Sequence, residues 1–91
     1  MEHVAGKKKG DIVLYALSTC VWCKKTKEFL SGLGVEYSYV FVDLLTAEEK
    51  EEVMEVVAVW NPECSFPTIV INNAKCVVGF RPEEIKENLG K

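Results

Sequence analysis

The chain has 91 residues, of which 48% are hydrophobic and 27% are charged, and its formal net charge at pH 7 is −3. This length accommodates a single domain, because independent domains usually need about 50 residues or more each. No apolar run approaches the roughly 20 residues of a membrane-spanning helix, and phosphate binding needs an excess of clustered Lys and Arg that an acidic chain lacks. We therefore expect a soluble globular protein, with neither nucleic acid nor membrane among its partners.

The first ten residues contain a run of three lysines and no apolar stretch of the roughly 7–15 residues found in secretory signals. We predict that residues 1–10 form a flexible tail and that the folded domain spans residues 11–91. We also expect a cytoplasmic protein, a setting in which thiols are kept reduced.

The next three segments predict a βαβ unit. Residues 12–17 form a continuous apolar run with β-branched residues at its start, which is typical of a strand buried on both faces. Apolar residues at helical spacing follow, until Gly32 and Gly34 interrupt a helix of about 12 residues. Residues 37–42 predict a second strand, and the helical crossover makes the two strands parallel neighbours.

A second helix is predicted after this unit. Thr46 and Glu49 have the spacing of a capping box, directly before a helical pattern of valines and a charged face. The helix is expected to end at Asn61, because the residue before Pro62 disfavours the α region.

A hairpin and a third helix complete the predicted fold. Two apolar runs, residues 68–71 and 76–78, flank an Asn72–Asn73 turn that tolerates positive φ. Pro82 stands where proline is favoured at the first position of a helix. The element order βαβαββα predicts an α/β fold with one four-stranded mixed sheet and helices on both faces.

Four cysteines need an explanation: Cys20, Cys23, Cys64 and Cys76. An even number in a short chain can indicate a disulfide-stapled secreted module, but such modules rarely carry so many long aliphatic runs. A zinc site needs two further ligands at suitable spacing, and neither the distant Cys64 and Cys76 nor His3 in the predicted tail fits this pattern. We therefore expect no metal and interpret the close pair as a redox pair.

The position of the close pair predicts its chemistry. Cys20 lies where the first strand passes into the helix, and free N–H groups and the helix dipole stabilise a thiolate there. Lys24 and Lys25 add positive charge. Cys23 lies three residues further on the same side of the first turn, so it can attack a mixed disulfide formed at Cys20. The pattern predicts Cys20 as the nucleophile and Cys23 as the resolving thiol.

Three landmarks in order resemble a glutaredoxin of the thioredoxin superfamily: the C-x-x-C pair, the Ser65-Phe66-Pro67-Thr68 segment and the Gly79-Phe80-Arg81-Pro82 turn. The resemblance covers about residues 11–89 and implies the thioredoxin fold and dithiol–disulfide exchange. It also implies a cis-proline at Pro67, where the residues alone favour an ordinary trans proline at the start of a strand. The backbone of Phe66 would then pair with an incoming peptide or glutathione.

Departures from the family pattern bear on the substrate. Val21-Trp22 stands where dithiol glutaredoxins typically carry Pro-Tyr, and Thr19 stands where a lysine is common. Dithiol glutaredoxins resemble each other in a Gly-Gly turn followed by an acidic residue that holds the glutathione amine. This chain has the turn at 79–82 in that place instead. It is more similar to the turn of NrdH-redoxins, which are glutaredoxin-like in sequence but behave as thioredoxin-like donors. The resemblance therefore weighs against glutathione binding, unless residues 83–84, two glutamates that also suit a first helical turn, supply the acid.

Several side chains keep two interpretations. Trp22 forms either a flat apolar wall over the thiols or a packing contact at the sheet edge. Arg81 either contacts a partner carboxylate or is a solvated surface side chain. Cys64, three residues before Pro67, is a candidate for a second redox role or for a bond to Cys76, which is otherwise a small core residue.

The sequence thus predicts a monomeric, cytoplasmic thiol–disulfide oxidoreductase whose redox centre is a Cys20–Cys23 disulfide and which needs no cofactor. The residues expected to meet the substrate are Val21, Trp22, Phe66, Pro67, Gly79, Phe80 and Arg81. Expected partners are disulfide-containing proteins, with ribonucleotide reductase as a client by resemblance only, and a thioredoxin-reductase-type electron donor or a small thiol. One alternative is an iron–sulfur cluster-binding module in which Cys20, external thiols and a second subunit hold the cluster. Another is a structural module with an inert cysteine pair.

Overall fold

The computed structural model describes residues 2–89, so Met1 of the predicted tail and residues 90–91 of the predicted domain lie outside the described residues. The strands are β1 (Glu2–Val4), β2 (Ile12–Ala16), β3 (Tyr37–Phe41), β4 (Thr68–Ile71) and β5 (Lys75–Val78), and the helices are α1 (Val21–Gly32), α2 (Ala47–Trp60) and α3 (Pro82–Asn88). A short 3-10 helix, Val42–Leu44, leads from β3 towards α2. The predicted α/β architecture is confirmed.

The strands form one mixed sheet in the order β1-β3-β2-β4-β5. β2 is parallel to β3 and antiparallel to β4, and β4 and β5 form the predicted antiparallel hairpin. The turn residues Asn72 and Asn73 have φ values of 55° and 51°, which asparagine tolerates better than most residues. The continuous apolar run of β2 therefore occupies the centre of the sheet, as the pattern predicts.

The sheet has five strands, so the predicted number of four is wrong. Residues Glu2–Val4, which the sequence places in a tail, pair antiparallel with β3, with Glu2 opposite Tyr39 and Val4 opposite Tyr37. The His3 ring also lies 3.1 Å from the Ser38 hydroxyl. A strand of three residues is too short to show the alternation by which strands are recognised in a sequence.

Alternation along the strands builds one apolar cluster on each face of the sheet. On one face, Leu14 and Ile69 pack with Leu30 of α1 and Ile85 of α3, and all four are fully buried. On the other face, Val57 of α2 packs with apolar side chains of β2, β3 and β4. The helices thus cover both faces, and α1 lies on the same side as α3.

The ends of α2 follow the predicted signals. The Thr46 hydroxyl accepts from the Glu49 N–H at 3.3 Å, and the Glu49 carboxylate accepts from the Thr46 N–H at 3.3 Å, which completes the capping box. The helix ends at Trp60, with Asn61 as its C-cap before Pro62. Within the described residues, no helix combines the length and the apolar character needed to cross a membrane.

Candidate active site

The cysteine pair lies at the carboxyl end of β2, where the chain enters α1. Cys20 is the N-cap of α1, with an extended backbone, and its Sγ accepts a hydrogen bond of 3.2 Å from the Cys23 N–H. Its carbonyl already accepts from the Lys24 N–H at 3.1 Å. A capping sulfur in this place faces the free N–H groups and the positive end of the helix dipole, both of which favour negative charge on it.

The two sulfurs differ in exposure. Cys20 is half-buried, whereas Cys23 is only 1% exposed and packs with the cluster beneath α1. Burial, followed by the hydrogen bond and the charge of Cys20, raises the pKa of Cys23 to about 12 from its ordinary value of 9.0. Only Cys20 is accessible to a substrate, and Cys23 lies behind it as a protonated thiol.

A carboxylate just after the neighbouring strand β3 accepts hydrogen bonds from the loop before the pair. Asp43, just after β3, accepts from the Ser18 N–H at 2.9 Å through one oxygen and from the Ser18 hydroxyl through the other. These two donors hold the pKa of Asp43 below its ordinary value. Because β2 and β3 are parallel, their carboxyl ends meet at one edge of the sheet, and this brings Asp43 to Ser18. No local sequence pattern predicts this contact.

A shallow cavity of about 250 Å³ is lined by Trp22, Phe66, Pro67, Gly79 and Phe80. Five of the seven residues predicted to meet the substrate therefore lie together around this cavity. The Phe66–Pro67 peptide bond is cis, as the resemblance implies. The Gly79 N–H donates to the Pro67 carbonyl at 2.8 Å, which ties the turn before α3 to the proline segment.

Trp22 is an exposed part of this cavity and also packs against a neighbour. Its ring stacks on Phe80 with centroids 6.1 Å apart, and Phe80 in turn meets Phe29 edge-on at 5.9 Å. The Lys25 ammonium lies 5.0 Å from the centre of the Trp22 ring, within the range of a cation–π contact. Trp22 remains 56% exposed, so the stacked ring still offers one apolar surface to a partner.

The two remaining predicted contact residues lie outside the residues that line this cavity. Val21 is 62% exposed at the first position of α1. Arg81 is the N-cap residue of α3, where its Nε donates to the Val78 carbonyl at 3.1 Å and lies 4.0 Å from the Glu84 carboxylate. Its side chain is otherwise solvent-exposed.

A buried amide anchors the segment that leads to Pro67. Asn61 is 5% exposed, and its Nδ2 donates to the Ser65 carbonyl and hydroxyl at 3.0 Å each and to the Thr68 hydroxyl at 3.2 Å. The Thr68 hydroxyl also donates to the Ser65 carbonyl at 2.7 Å. Asn61 was predicted only as the end of α2, although an Asn just upstream of the Ser-Phe-Pro-Thr segment is a suitable donor for such a loop.

The other two cysteines lie apart from the pair. Cys64 has a φ of 53° and packs with the cluster on the α2 side of the sheet, opposite the cluster that contains Cys23. Cys76 is half-buried on the edge strand β5, and burial followed by the charge of Glu84 raises its pKa. All four cysteines are free thiols, so no bond joins Cys64 to Cys76 in the structure.

Among residues 2–89, no group of three or more His, Cys, Asp or Glu side chains is placed to hold a metal ion. The predicted alternative of an iron–sulfur module does not need such a group, because it draws on Cys20, external thiols and a second subunit. Within the pair, Cys20 is the more exposed thiol, and it is the one that this alternative assigns as a ligand.

Comparisons with known proteins agree with this geometry. The family model described as glutaredoxin matches residues 12–76. The crystal structure of the glutaredoxin from Methanosarcina mazei is similar with a TM-score of 0.94 and 52% identity, over 99% of this chain and 87% of that one. The methanoredoxin of Methanosarcina acetivorans gives a TM-score of 0.92 and 53% identity, over 94% of this chain and 90% of that one.

Two more distant proteins are also similar to this chain. A glutaredoxin-like 8.6 kDa protein in the rubredoxin operon of Clostridium pasteurianum, itself uncharacterised, is 34% identical over 88% of this chain and 99% of its own length. The NrdH-redoxin of Escherichia coli shares the fold, with a TM-score of 0.64 and 23% identity, over 85% of this chain and 92% of that one. The chain therefore belongs to the glutaredoxin family of the thioredoxin superfamily, whose members are in general thiol–disulfide oxidoreductases.

Proposed function

We propose that the protein reduces disulfide bonds in protein substrates through Cys20 and Cys23. The observation that carries the proposal is the unequal exposure of the two sulfurs at the start of α1, with Cys20 half-buried and Cys23 at 1% exposure. An accessible capping sulfur with a protonated thiol behind it suits a two-step exchange in which one cysteine attacks and the other resolves.

In the first step, the Cys20 thiolate attacks one sulfur of the substrate disulfide. A bond forms between Cys20 and that sulfur, and the other substrate sulfur leaves as a thiolate. In the second step, the Cys23 thiol gives its proton to water and its sulfur attacks the Cys20 Sγ, which releases the first substrate sulfur as a thiolate and leaves the Cys20–Cys23 disulfide. Two electrons have then passed from the pair to the substrate.

The cavity beside the pair supports a protein substrate over glutathione. It is lined by aromatic rings, a proline and a glycine, whereas glutathione carries charged groups at both ends. The glutamates at 83–84 lie in the first turn of α3 and are not among the residues that line the cavity. We propose that an apolar side chain of the client occupies it while the client backbone lies along Phe66–Pro67.

The electrons return, in this proposal, from a thioredoxin-reductase-type donor or a small thiol. The similarity of the turn at 79–82 to that of NrdH-redoxins is the basis for including ribonucleotide reductase among the candidate clients. Turnover with such a reductase, compared with turnover on glutathione plus glutathione reductase, tests this directly. Efficient coupling to glutathione would overturn the proposed choice of donor.

Insulin disulfide reduction tests the cysteine assignment. Cys20→Ser should abolish turnover, and Cys23→Ser should accumulate a mixed disulfide with the substrate instead of completing it. Cys76→Ser is the matched control, because this thiol lies on β5 outside the cavity and its loss should leave turnover unchanged. Full turnover in Cys20→Ser or Cys23→Ser would refute the two-cysteine mechanism, and full turnover in Cys20→Ser would favour an inert pair.

The iron–sulfur alternative makes a different prediction for the purified protein. A bound cluster would give visible absorption and would hide Cys20 from thiol reagents. A colourless preparation in which all four cysteines titrate counts against it.

A further inference from the structure

We propose that Asp43 is a positioning residue for the cysteine pair, which acts through Ser18 on the turn that presents Cys20. The inference rests on the proposed function of the pair. The Asp43 carboxylate hydrogen-bonds to Ser18 and to neither sulfur. Its effect on the pair is therefore transmitted through the backbone of the turn.

The turn before α1 has a donor that the turn's own hydrogen bond leaves free. Residues 17–20 form it, and its closing hydrogen bond runs from the Cys20 N–H to the Leu17 carbonyl at 3.2 Å. In such a turn the N–H groups of the two central residues point away from the turn and need other partners. The Ser18 N–H finds its partner in Asp43, at 2.9 Å.

The second bond from Ser18 makes the contact specific. The Ser18 hydroxyl donates to the other oxygen of Asp43, so one carboxylate accepts from the main chain and from the side chain of a single residue. Two bonds to one residue restrict both the position and the rotation of the turn, and hydrogen bonds to a charged acceptor are stronger than neutral ones. Asp43 is itself held just after β3, beside the central strand β2.

The position of the Cys20 sulfur depends on this turn, because Cys20 is both the last residue of the turn and the N-cap of α1. A shift of the turn would draw Cys20 Sγ away from the Cys23 N–H, which it now meets at 3.2 Å. That donor and the helix terminus stabilise the thiolate, so a displaced sulfur would be a poorer nucleophile. A misplacement of ~1 Å in a catalytic group costs on the order of 100-fold in rate.

Charge and position make opposite predictions, and two variants separate them. Asp43→Asn removes the charge but keeps both contacts, because its Oδ1 can accept from the Ser18 N–H and its Nδ2 can donate to the Ser18 hydroxyl. Asp43→Ala removes both. The charge of Asp43 disfavours a thiolate nearby, as it does at Cys23, so loss of charge alone would speed the reaction of the pair, whereas loss of the turn would slow it.

The experiment measures the rate of Cys20 alkylation by iodoacetamide at pH 7, located by mass spectrometry, and the midpoint potential of the pair in a dithiothreitol redox buffer. Asp43→Ala should slow alkylation about tenfold and shift the potential to a more negative value, by about 30 mV for a tenfold change in the exchange equilibrium. Asp43→Asn should match or slightly exceed the unchanged protein. Asp11→Ala, at the opposite end of β2, controls for loss of an aspartate and should change neither quantity.

Either of two results overturns the proposal. Equal slowing in Asp43→Asn and Asp43→Ala would show that keeping both contacts to Ser18 does not preserve the reactivity of Cys20, and unchanged or faster alkylation in Asp43→Ala would show that the turn holds its shape without Asp43. Neither readout needs a client protein. Failure of the unchanged protein to reduce insulin would therefore refute the proposed function without deciding the role of Asp43.

Discussion

The burial of Cys23 predicts a large loss of reactivity that can be measured on one residue. The pKa of its thiol is raised from 9.0 to about 12, with burial as the largest cause. A thiol whose pKa is about 12 and not 9.0 has about 1,000-fold less thiolate at neutral pH, and the thiolate is the reactive form. The side chain is also 1% exposed, which hinders access of any reagent further.

The assay uses Cys20→Ser and iodoacetamide, with the extent of labelling at Cys23 followed by mass spectrometry. Tryptic cleavage places Cys64 and Cys76 on other peptides, so they do not interfere. The substitution removes the two contributions of Cys20 to the raised pKa but leaves burial, the largest one. We therefore expect Cys23 to react at least about 100-fold more slowly in the folded protein than in concentrated urea.

The same residue in the unfolded chain is the internal reference. Cys20 in Cys23→Ser is the matched comparison, because it is half-buried and open to reagents in the folded protein. A folded-to-unfolded difference of less than about tenfold at Cys23 would refute the argument that burial keeps this thiol protonated and protected.

Three further measurements test the packing around the site. Asn61→Ala should lower the free energy of unfolding in urea by about 1–3 kcal/mol, because it leaves the buried Thr68 hydroxyl and the Ser65 carbonyl with fewer partners, whereas Asn88→Ala, which removes an exposed hydrogen bond to the Glu84 carbonyl, should change it by less than about 0.5 kcal/mol. Asp43 has a lowered folded-state pKa, so its contribution to stability is present above its ordinary pKa of 3.8 and is lost as the pH falls through the folded-state value. The difference in melting temperature between the unchanged protein and Asp43→Asn should therefore shrink on acidification, and a constant difference would contradict this. Leu14→Ala, at 0% exposure in the central strand, should cost about 2–5 kcal/mol in the same urea titration, and a loss below about 1 kcal/mol would contradict the assignment of Leu14 to the core.

Most of the fold is predictable because its signals are local. The apolar run of β2, the capping box of α2 and the asparagine turn of the hairpin each depend on residues within a few positions of one another. Strand β1 gives no such signal, since three residues gain their structure only from pairing with the distant edge of β3. The fifth strand is therefore a tertiary feature that no local sequence pattern predicts.

The site, too, has features that local sequence patterns predict and features that depend on distant residues. The location of Cys20 at a helix N-terminus follows from the order of strand and helix, which the sequence does show. The partner of Ser18 depends on which side chain stands at the end of the neighbouring strand, and the stacking of Trp22 depends on Phe80 far along the chain. The parallel pairing of β2 and β3 is nevertheless predictable, and polar residues just after both strands are the signal that indicates a contact of Ser18 with Asp43.

The causes of the raised pKa of Cys23 also suggest how the second step of the exchange is timed. After burial, the contributions that raise it include a hydrogen bond with Cys20 and the charge of Cys20. Both act only while the Cys20 sulfur is free, whereas burial, the largest cause, remains when a substrate is bonded to it. In the proposed exchange the buried thiol is therefore protected before the mixed disulfide forms, and it has a disulfide within reach once that bond has formed.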